Sequence, residues 1–179
     1  MNIYFLIIVT ALLLEFVLYN LSRVLDLRNL STKLPEEFHG YYSEQEYVQS
    51  QKYLKDNTRF SYITSSLGFL VMLLIIFCGF FNIIDLWVRS FGLSSILSGL
   101  LFFGVLFLLQ DIISIPFSVY RTFVIEERYG FNKTTTTTYV LDKIKSYFIL
   151  IILGGPVLSM ILYFFESFGG LAWIYAWLI

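Results

Sequence analysis

Apolar residues in this chain come in long unbroken runs, divided by shorter polar stretches, and not in the strict alternation of a half-buried strand. A helix needs about 20 apolar residues to cross a hydrocarbon core of ~30 Å. Four runs meet that requirement and predict membrane helices over approximately residues 3–21, 60–81, 93–115 and 147–165. A fifth apolar block covers 171–179. At 1.5 Å per residue it reaches only about 13 Å, less than half the core. The last carbonyls of a helix have no intrahelical partner and are costly when bare in lipid. The expectation is therefore a sequence cut inside a fifth span, the front portion of something longer. The fold class expected is all-α: a polytopic transmembrane helix bundle, with four complete spans and the start of a fifth, forming a single domain over 1–179.

Local signals refine these elements. Ser43-Glu44-Gln45-Glu46 matches a capping box, so a helix beginning there is expected to run through Tyr47 and Leu54 into the second span. Leu34-Pro35 predicts a bend ahead of it. Gly68, Gly99 and Gly104 fall inside spans, where small residues let helices approach closely. Pro116 predicts a kink or an exit at the end of the third span. The run Thr134–Thr138 is poor helix interior but offers N-caps, and Thr137 or Thr138 is expected to cap the helix that enters span four. No internal repeat is present. The N-terminus lacks the basic n-region and small-residue cleavage site of a signal peptide, and Glu15 interrupts its apolar run, so 3–21 is read as a retained helix.

Composition agrees with the pattern. Of 179 residues, 58% are hydrophobic and 14% charged, against roughly 25% charged in an average soluble domain. A net charge of −1 points to neither an acidic nor a basic partner, and no nucleic-acid role is expected. Lysine and arginine decide orientation. Eleven of the twelve fall in the loops 22–59 and 116–146, and the connection between spans two and three holds only Arg89. Those two loops are expected to be cytoplasmic, with the N-terminus outside.

Candidate chemistry is sparse. His39 is the only histidine and Cys78 the only cysteine. A catalytic zinc site takes three protein ligands, mostly histidine with a carboxylate or cysteine, so no metal, cofactor or catalytic residue is expected in this chain. Cys78 is expected simply to pack within its apolar run. Two carboxylates lie at membrane depth, Glu15 and Asp111. Ionisable groups there are costly and face the bundle interior or water, which makes both candidate chamber-lining residues. The alternative for either is a hydrogen bond to a neighbouring helix, and for Asp111 also closeness to the headgroups beside Gln110. The segment Glu126-Glu127-Arg128-Tyr129-Gly130-Phe131-Asn132-Lys133 is polar and charged between two apolar blocks. Gly130 is suited to a turn with positive φ that folds Phe131 back, and the Asn132 amide can bond to backbone. On the residues alone the segment reads as a solvated loop with ordinary turn chemistry or as a partner surface bound through Glu126, Glu127 and Arg128, and Phe131 strains the first reading because an aromatic in a polar loop calls for a surface to bury against.

Pro116-Phe117-Ser118-Val119-Tyr120, then Phe123 through Lys133, then Asp142-Lys143-Ile144-Lys145, resembles the signature of the type I CAAX prenyl proteases and their bacterial relatives, which are integral membrane zinc metalloproteases. Leu34-Pro35-Glu36-Glu37-Phe38, Gln51-Lys52-Tyr53, Arg59-Phe60 and Ile174-Tyr175-Ala176-Trp177 extend the resemblance over nearly the whole chain. The threonine run is longer than the family pattern needs. The resemblance implies an N-terminal group of five membrane helices that helps enclose a water-filled chamber, with zinc bound by a later domain that is absent from this sequence. It implies that Glu126, Glu127, Arg128, Gly130, Phe131 and Asn132 form a rim element at the junction with that zinc domain. It places no zinc ligand and no catalytic base in this chain.

The expectation is accordingly a non-catalytic N-terminal transmembrane module of a zinc metalloendopeptidase. Its partners would be membrane lipids, the zinc metallopeptidase domain and, by resemblance alone, prenylated or other membrane-associated peptides. The host bilayer would be a bacterial inner membrane, with endoplasmic reticulum as the alternative. Two rivals remain: a stand-alone membrane interaction scaffold without the protease half, and a small transporter or channel subunit using Glu15 and Asp111.

Overall fold

A computed structural model describes residues 2–31, 33–41 and 43–178, the side chain of residue 178 excepted. Among the described residues there is no strand, and seven α-helices follow one another. They are α1 (Ile3–Asn29), α2 (Glu44–Phe77), α3 (Phe80–Arg89), α4 (Ser95–Tyr120), α5 (Thr136–Ile149), α6 (Gly155–Phe168) and α7 (Ala172–Leu178). A π-helical turn, Arg121–Glu126, continues α4, and another, Leu150–Gly154, joins α5 to α6. Four stretches are long and apolar enough to cross a bilayer: Ile3–Asn29, Glu44–Phe77, Ser95–Glu126 and Thr136–Trp177. Their outer surfaces are greasy, with Leu18, Ile151 and Met160 all more than 60% exposed. The chain is an integral membrane protein.

The helices sort into two compact units, Met1–Phe80 with Ser114–Lys133, and Phe81–Ile113 with Thr134–Ile179. In the first unit α1 and α2 run antiparallel. Phe5 meets Phe77 edge-on at 5.4 Å, Phe16 stacks on Phe69 at 4.3 Å, and Ser65 donates to the Asn20 side chain at 3.0 Å. Asn20, buried within this greasy pair, also donates its amide to the Phe16 carbonyl at 2.8 Å, so both ends of the amide are satisfied. The end of α4 lies antiparallel to α2, with Phe60 stacked on Tyr120 at 5.1 Å and Arg121 donating to the Ser61 hydroxyl at 3.2 Å.

The helix boundaries follow from capping. Ser43 and Glu46 close a capping box, Glu46 N–H on Ser43 Oγ at 3.2 Å and Ser43 N–H on Glu46 Oε2 at 3.4 Å. From there α2 runs 34 residues without a break. Its apolar part, from Phe60 onward, is about 27 Å long, so some 24 Å of helix precedes it. The bend expected at Leu34-Pro35 is present as a single 3-10 turn, Glu36–Phe38, which buries Leu34.

Several expectations are corrected. Span two stops at Phe77 and not at 81, because Gly79 takes a φ of 66° and ends the helix. Cys78 caps α2 and is exposed within the chain, so it does not pack in an apolar core. The connection after it is not plain loop but contains the amphipathic α3. Pro116 does not end the helix; α4 continues past it for four more residues and then into the π turn. Thr135, and not Thr137 or Thr138, caps α5, its hydroxyl accepting from Thr138 N–H at 3.1 Å. The fifth apolar block begins after Gly169, whose φ of 53° separates α6 from α7.

Of the glycines expected to allow close approach, one does so. A Cβ on Gly99 would lie 2.7 Å from Leu162 Cδ1, whereas Gly68 and Gly104 have nothing within 4 Å. Overpacking a site of this kind costs about 1–3 kcal/mol. Gly99→Val is expected to lower the thermal midpoint of the detergent-solubilised protein, Leu162→Ala in the same chain to restore part of the loss, and Gly68→Val to have little effect. Equal loss at Gly68 and Gly99, read by circular dichroism, would contradict the contact.

Candidate functional site

The charged segment at 126–133 is built by the end of one helix and held by another. The helix that starts as α4 ends in a Schellman motif. Phe131 N–H donates to the Glu126 carbonyl at 2.9 Å and Gly130 N–H to the Glu127 carbonyl at 3.0 Å, with Gly130 at φ 74°. This is the left-handed turn expected of Gly130, and it does fold Phe131 back. The ring of Phe131 meets Tyr53 of α2 edge-on, centroids 4.7 Å apart, and Tyr129 meets the same ring at 5.6 Å. Phe131 nevertheless keeps about half of its surface, 51%, exposed.

Polar contacts reinforce the aromatic ones. Asp56 on α2 accepts from the Tyr129 hydroxyl at 2.7 Å and from Arg128 at 3.3 Å. Gln49 donates its amide to the Tyr129 carbonyl at 2.9 Å. The hydrogen bond to Asp56, with burial second, raises the Tyr129 phenol above its ordinary value, so it remains a donor throughout the neutral range. Asn132 donates its side-chain amide to Glu127 Oε2 at 2.8 Å, a side-chain acceptor, where the expectation was a bond to backbone. Glu127 and Arg128 stay exposed. The structure thus brings Glu126, Glu127, Arg128, Gly130, Phe131 and Asn132 into one short structured element.

Asp111 belongs to a second polar cluster, inside the other unit. Its carboxylate accepts from Lys143 Nζ and from the Tyr147 hydroxyl, both at 2.5 Å, and Tyr147 lies edge-on to Phe107 at 6.5 Å. The pair is largely shielded, with side-chain exposures of 27% for Lys143 and 14% for Asp111. The contacts at 99 with 162, 107 with 147 and 111 with 143 set α4 antiparallel to the helix running from α5 into α6. Asp111 therefore makes the hydrogen bond to a neighbouring helix that was its alternative role. Glu15, by contrast, is exposed on α1.

His39 lies exposed at the end of the 3-10 turn, with Nε2 3.3 Å from the Leu34 carbonyl. Among the described residues no group of three histidine, cysteine, aspartate or glutamate side chains could hold a metal ion. Of the residues that hold the loop, Tyr53 was noted only as part of the family resemblance, with no role assigned, and Asp56 and Gln49 were not singled out from sequence. The spacing of Gln49, Tyr53 and Asp56 along α2 places them on one helical face, and that is the signal that could have found them.

Two tests follow from these contacts. Removing one partner from a shielded ion pair costs about 3–5 kcal/mol, because the other charge is stranded. Asp111→Ala is expected to destabilise the protein by that order and Lys143→Met by less, with the double variant less affected than the two single losses added together; strict additivity in thermal unfolding would count against coupling. For the loop, Tyr53→Ala and Asp56→Ala are each expected to speed tryptic cleavage after Arg128 and Lys133 several-fold, with Gln45→Ala as the control. Unchanged cleavage in both would show that α2 does not hold the loop.

A family model described as CAAX prenyl protease N-terminal, five membrane helices, matches residues 23–179. The chain is 32% identical over 172 residues to a CAAX prenyl protease 1 homolog of Arabidopsis thaliana, an alignment covering 90% of this chain and 41% of that one. It is 31% identical over 161 residues to a CAAX prenyl protease 1 homolog of Homo sapiens, covering 83% and 33%. The crystal structure of S. mikatae Ste24p matches it with a TM-score of 0.86 at 27% identity, over 98% of this chain and 42% of that one. The chain spans roughly two fifths or less of the length of these relatives.

Proposed function

The chain belongs to the CAAX prenyl protease N-terminal family, with its five membrane helices, and from that premise we propose that it is the non-catalytic N-terminal transmembrane module of a zinc metalloendopeptidase. It forms part of the wall of an intramembrane chamber and docks the zinc-binding domain through the loop at 126–133. That domain supplies the zinc, and the peptides cleaved are prenylated or otherwise membrane-associated. The loops 22–59 and 116–146 face the cytoplasm and the N-terminus lies outside. The basic residues concentrated in those two loops support that orientation.

One observation carries the docking role. The loop is anchored from below by Asp56, Gln49 and Tyr53, while Glu127, Arg128 and half of Phe131 remain uncovered. A fixed loop with an aromatic ring between charges has the make-up of an interface anchor with a polar rim. For the chamber wall, Glu15 is the stronger lining candidate. It is exposed on its helix, whereas both Asp111 oxygens are engaged by Lys143 and Tyr147.

The test uses the protein together with a zinc-binding domain of the family. Phe131→Ala and Glu127→Lys are expected to weaken association of the two parts in detergent by about tenfold, the scale of a 1–2 kcal/mol interface contact. The chain on its own is expected to give no chelator-sensitive peptide hydrolysis when supplied with zinc. Association indifferent to both substitutions would overturn the docking role, and chelator-sensitive turnover by the chain alone would overturn its non-catalytic assignment.

A further inference from the structure

The short helix α3 has three faces. Around its axis at 100° per residue, Ile84 and Val88 share one side and are buried, 5% and 1% exposed. Asn82, Asp85 and Arg89 cluster on another, where Arg89 Nε donates to Asp85 at 2.8 Å. Between them runs a third, with Leu86, Ile83 and Trp87 between 51% and 60% exposed. Just past the helix Phe91 is 53% exposed and meets Trp87 edge-on at 5.1 Å.

Its place in the chain restricts what can cover that third face. Only Cys78 and Gly79 separate α3 from the second span, and five residues, 90–94, separate it from α4. Ten residues of helix are about 15 Å long and cannot cross a bilayer. The helix is therefore tethered at both ends within a few residues of membrane-spanning segments. Exposed tryptophan beside phenylalanine, with an apolar strip flanked by a polar one, is the composition of a helix lying in the headgroup region.

We propose that α3 is an interfacial helix, seated in the headgroup–acyl boundary of the leaflet opposite the basic loops, with Ile83, Leu86, Trp87 and Phe91 as its lipid-facing anchor and Asn82, Asp85 and Arg89 toward water. Asp85 and Arg89 neutralise each other, so the anchor takes zwitterionic and anionic lipid alike.

Spin labels test the seat in the full chain reconstituted in phosphatidylcholine vesicles. In a Cys78→Ser background, labels at Ile83→Cys and Leu86→Cys are expected to show an oxygen-to-nickel accessibility ratio several-fold higher than at Asn82→Cys. Replacing a third of the lipid by phosphatidylglycerol should leave all three ratios unchanged. Equal ratios at the three positions would overturn the proposal. So would labels at 83 and 86 shielded from both reagents, the sign of a protein partner, or a marked rise with anionic lipid. A Trp173→Phe/Trp177→Phe chain serves as a label-free check. Its remaining indole is expected to be quenched more by lipid brominated near the carbonyl end than near the methyl end, and the reverse order would place α3 elsewhere. These readouts do not involve proteolysis or docking, so their failure leaves the proposed function standing.

Discussion

A peptide group in hydrocarbon has no water to turn to, so each N–H and C=O there must be met inside the chain. That constraint explains why the apolar part of α2, from Phe60 to Phe77, runs without a break. It also explains where the irregularities fall. Gly79, Gly130 and Gly169 adopt positive φ at the ends of long helices, where carbonyls are already unpaired and a left-handed residue lets downstream N–H groups reach back to them. The π turn at Leu150–Gly154 contains Ile152, the residue four before Pro156 and the one whose carbonyl a proline ring crowds and cannot serve. A wider turn there relieves the clash without opening the helix to lipid. The π turn at Arg121–Glu126 has no proline four residues beyond it.

The same constraint shapes the side chains. Polar groups within the spans are used in pairs that join two helices: Asn20 with Ser65 between α1 and α2, Ser61 with Arg121 between α2 and the end of α4, Asp111 with Lys143 and Tyr147 between α4 and α5. Apolar contact gives little preference for one helix face over another when the surrounding lipid is equally apolar. These bonds are directional, and moving either helix by a turn would leave a polar atom in hydrocarbon. They therefore fix register, while stacked rings such as Phe16 on Phe69 fill the space between.

What could be read from sequence was what depends on neighbours along the chain. The spans, the capping box at Ser43, the bend at Pro35 and the turn at Gly130 are set by residues within four or five positions of one another, and the resemblance to the CAAX protease family rests on motifs equally local. The anchors of the signature loop were not legible, since Asp56 and Tyr129 are 73 positions apart and nothing local ties them. The helix α3 was hidden for a different reason. It follows the second span after only two residues, so its apolar face reads as the tail of that span and its polar positions as loop. Thr135 was passed over because five consecutive threonines are equivalent by propensity. Only the start of the helix decides which hydroxyl faces a bare N–H.

Anchoring has a consequence for the role proposed for the loop. Ordering one residue's backbone costs about 1–2 kcal/mol, so a free eight-residue segment would lose most of a modest interface's gain on docking. Here that ordering is already met within the chain. The Schellman turn fixes Gly130 and Phe131, Tyr53 supports the ring, and Asp56 and Gln49 hold the residues before it. A partner would then have to order only the outward side chains of Glu127, Arg128 and Phe131. Because α2 continues from the second span up to these anchors without a break, the loop is fixed by the same helix that is fixed by lipid. A domain docked there would be held relative to the membrane by one continuous rod.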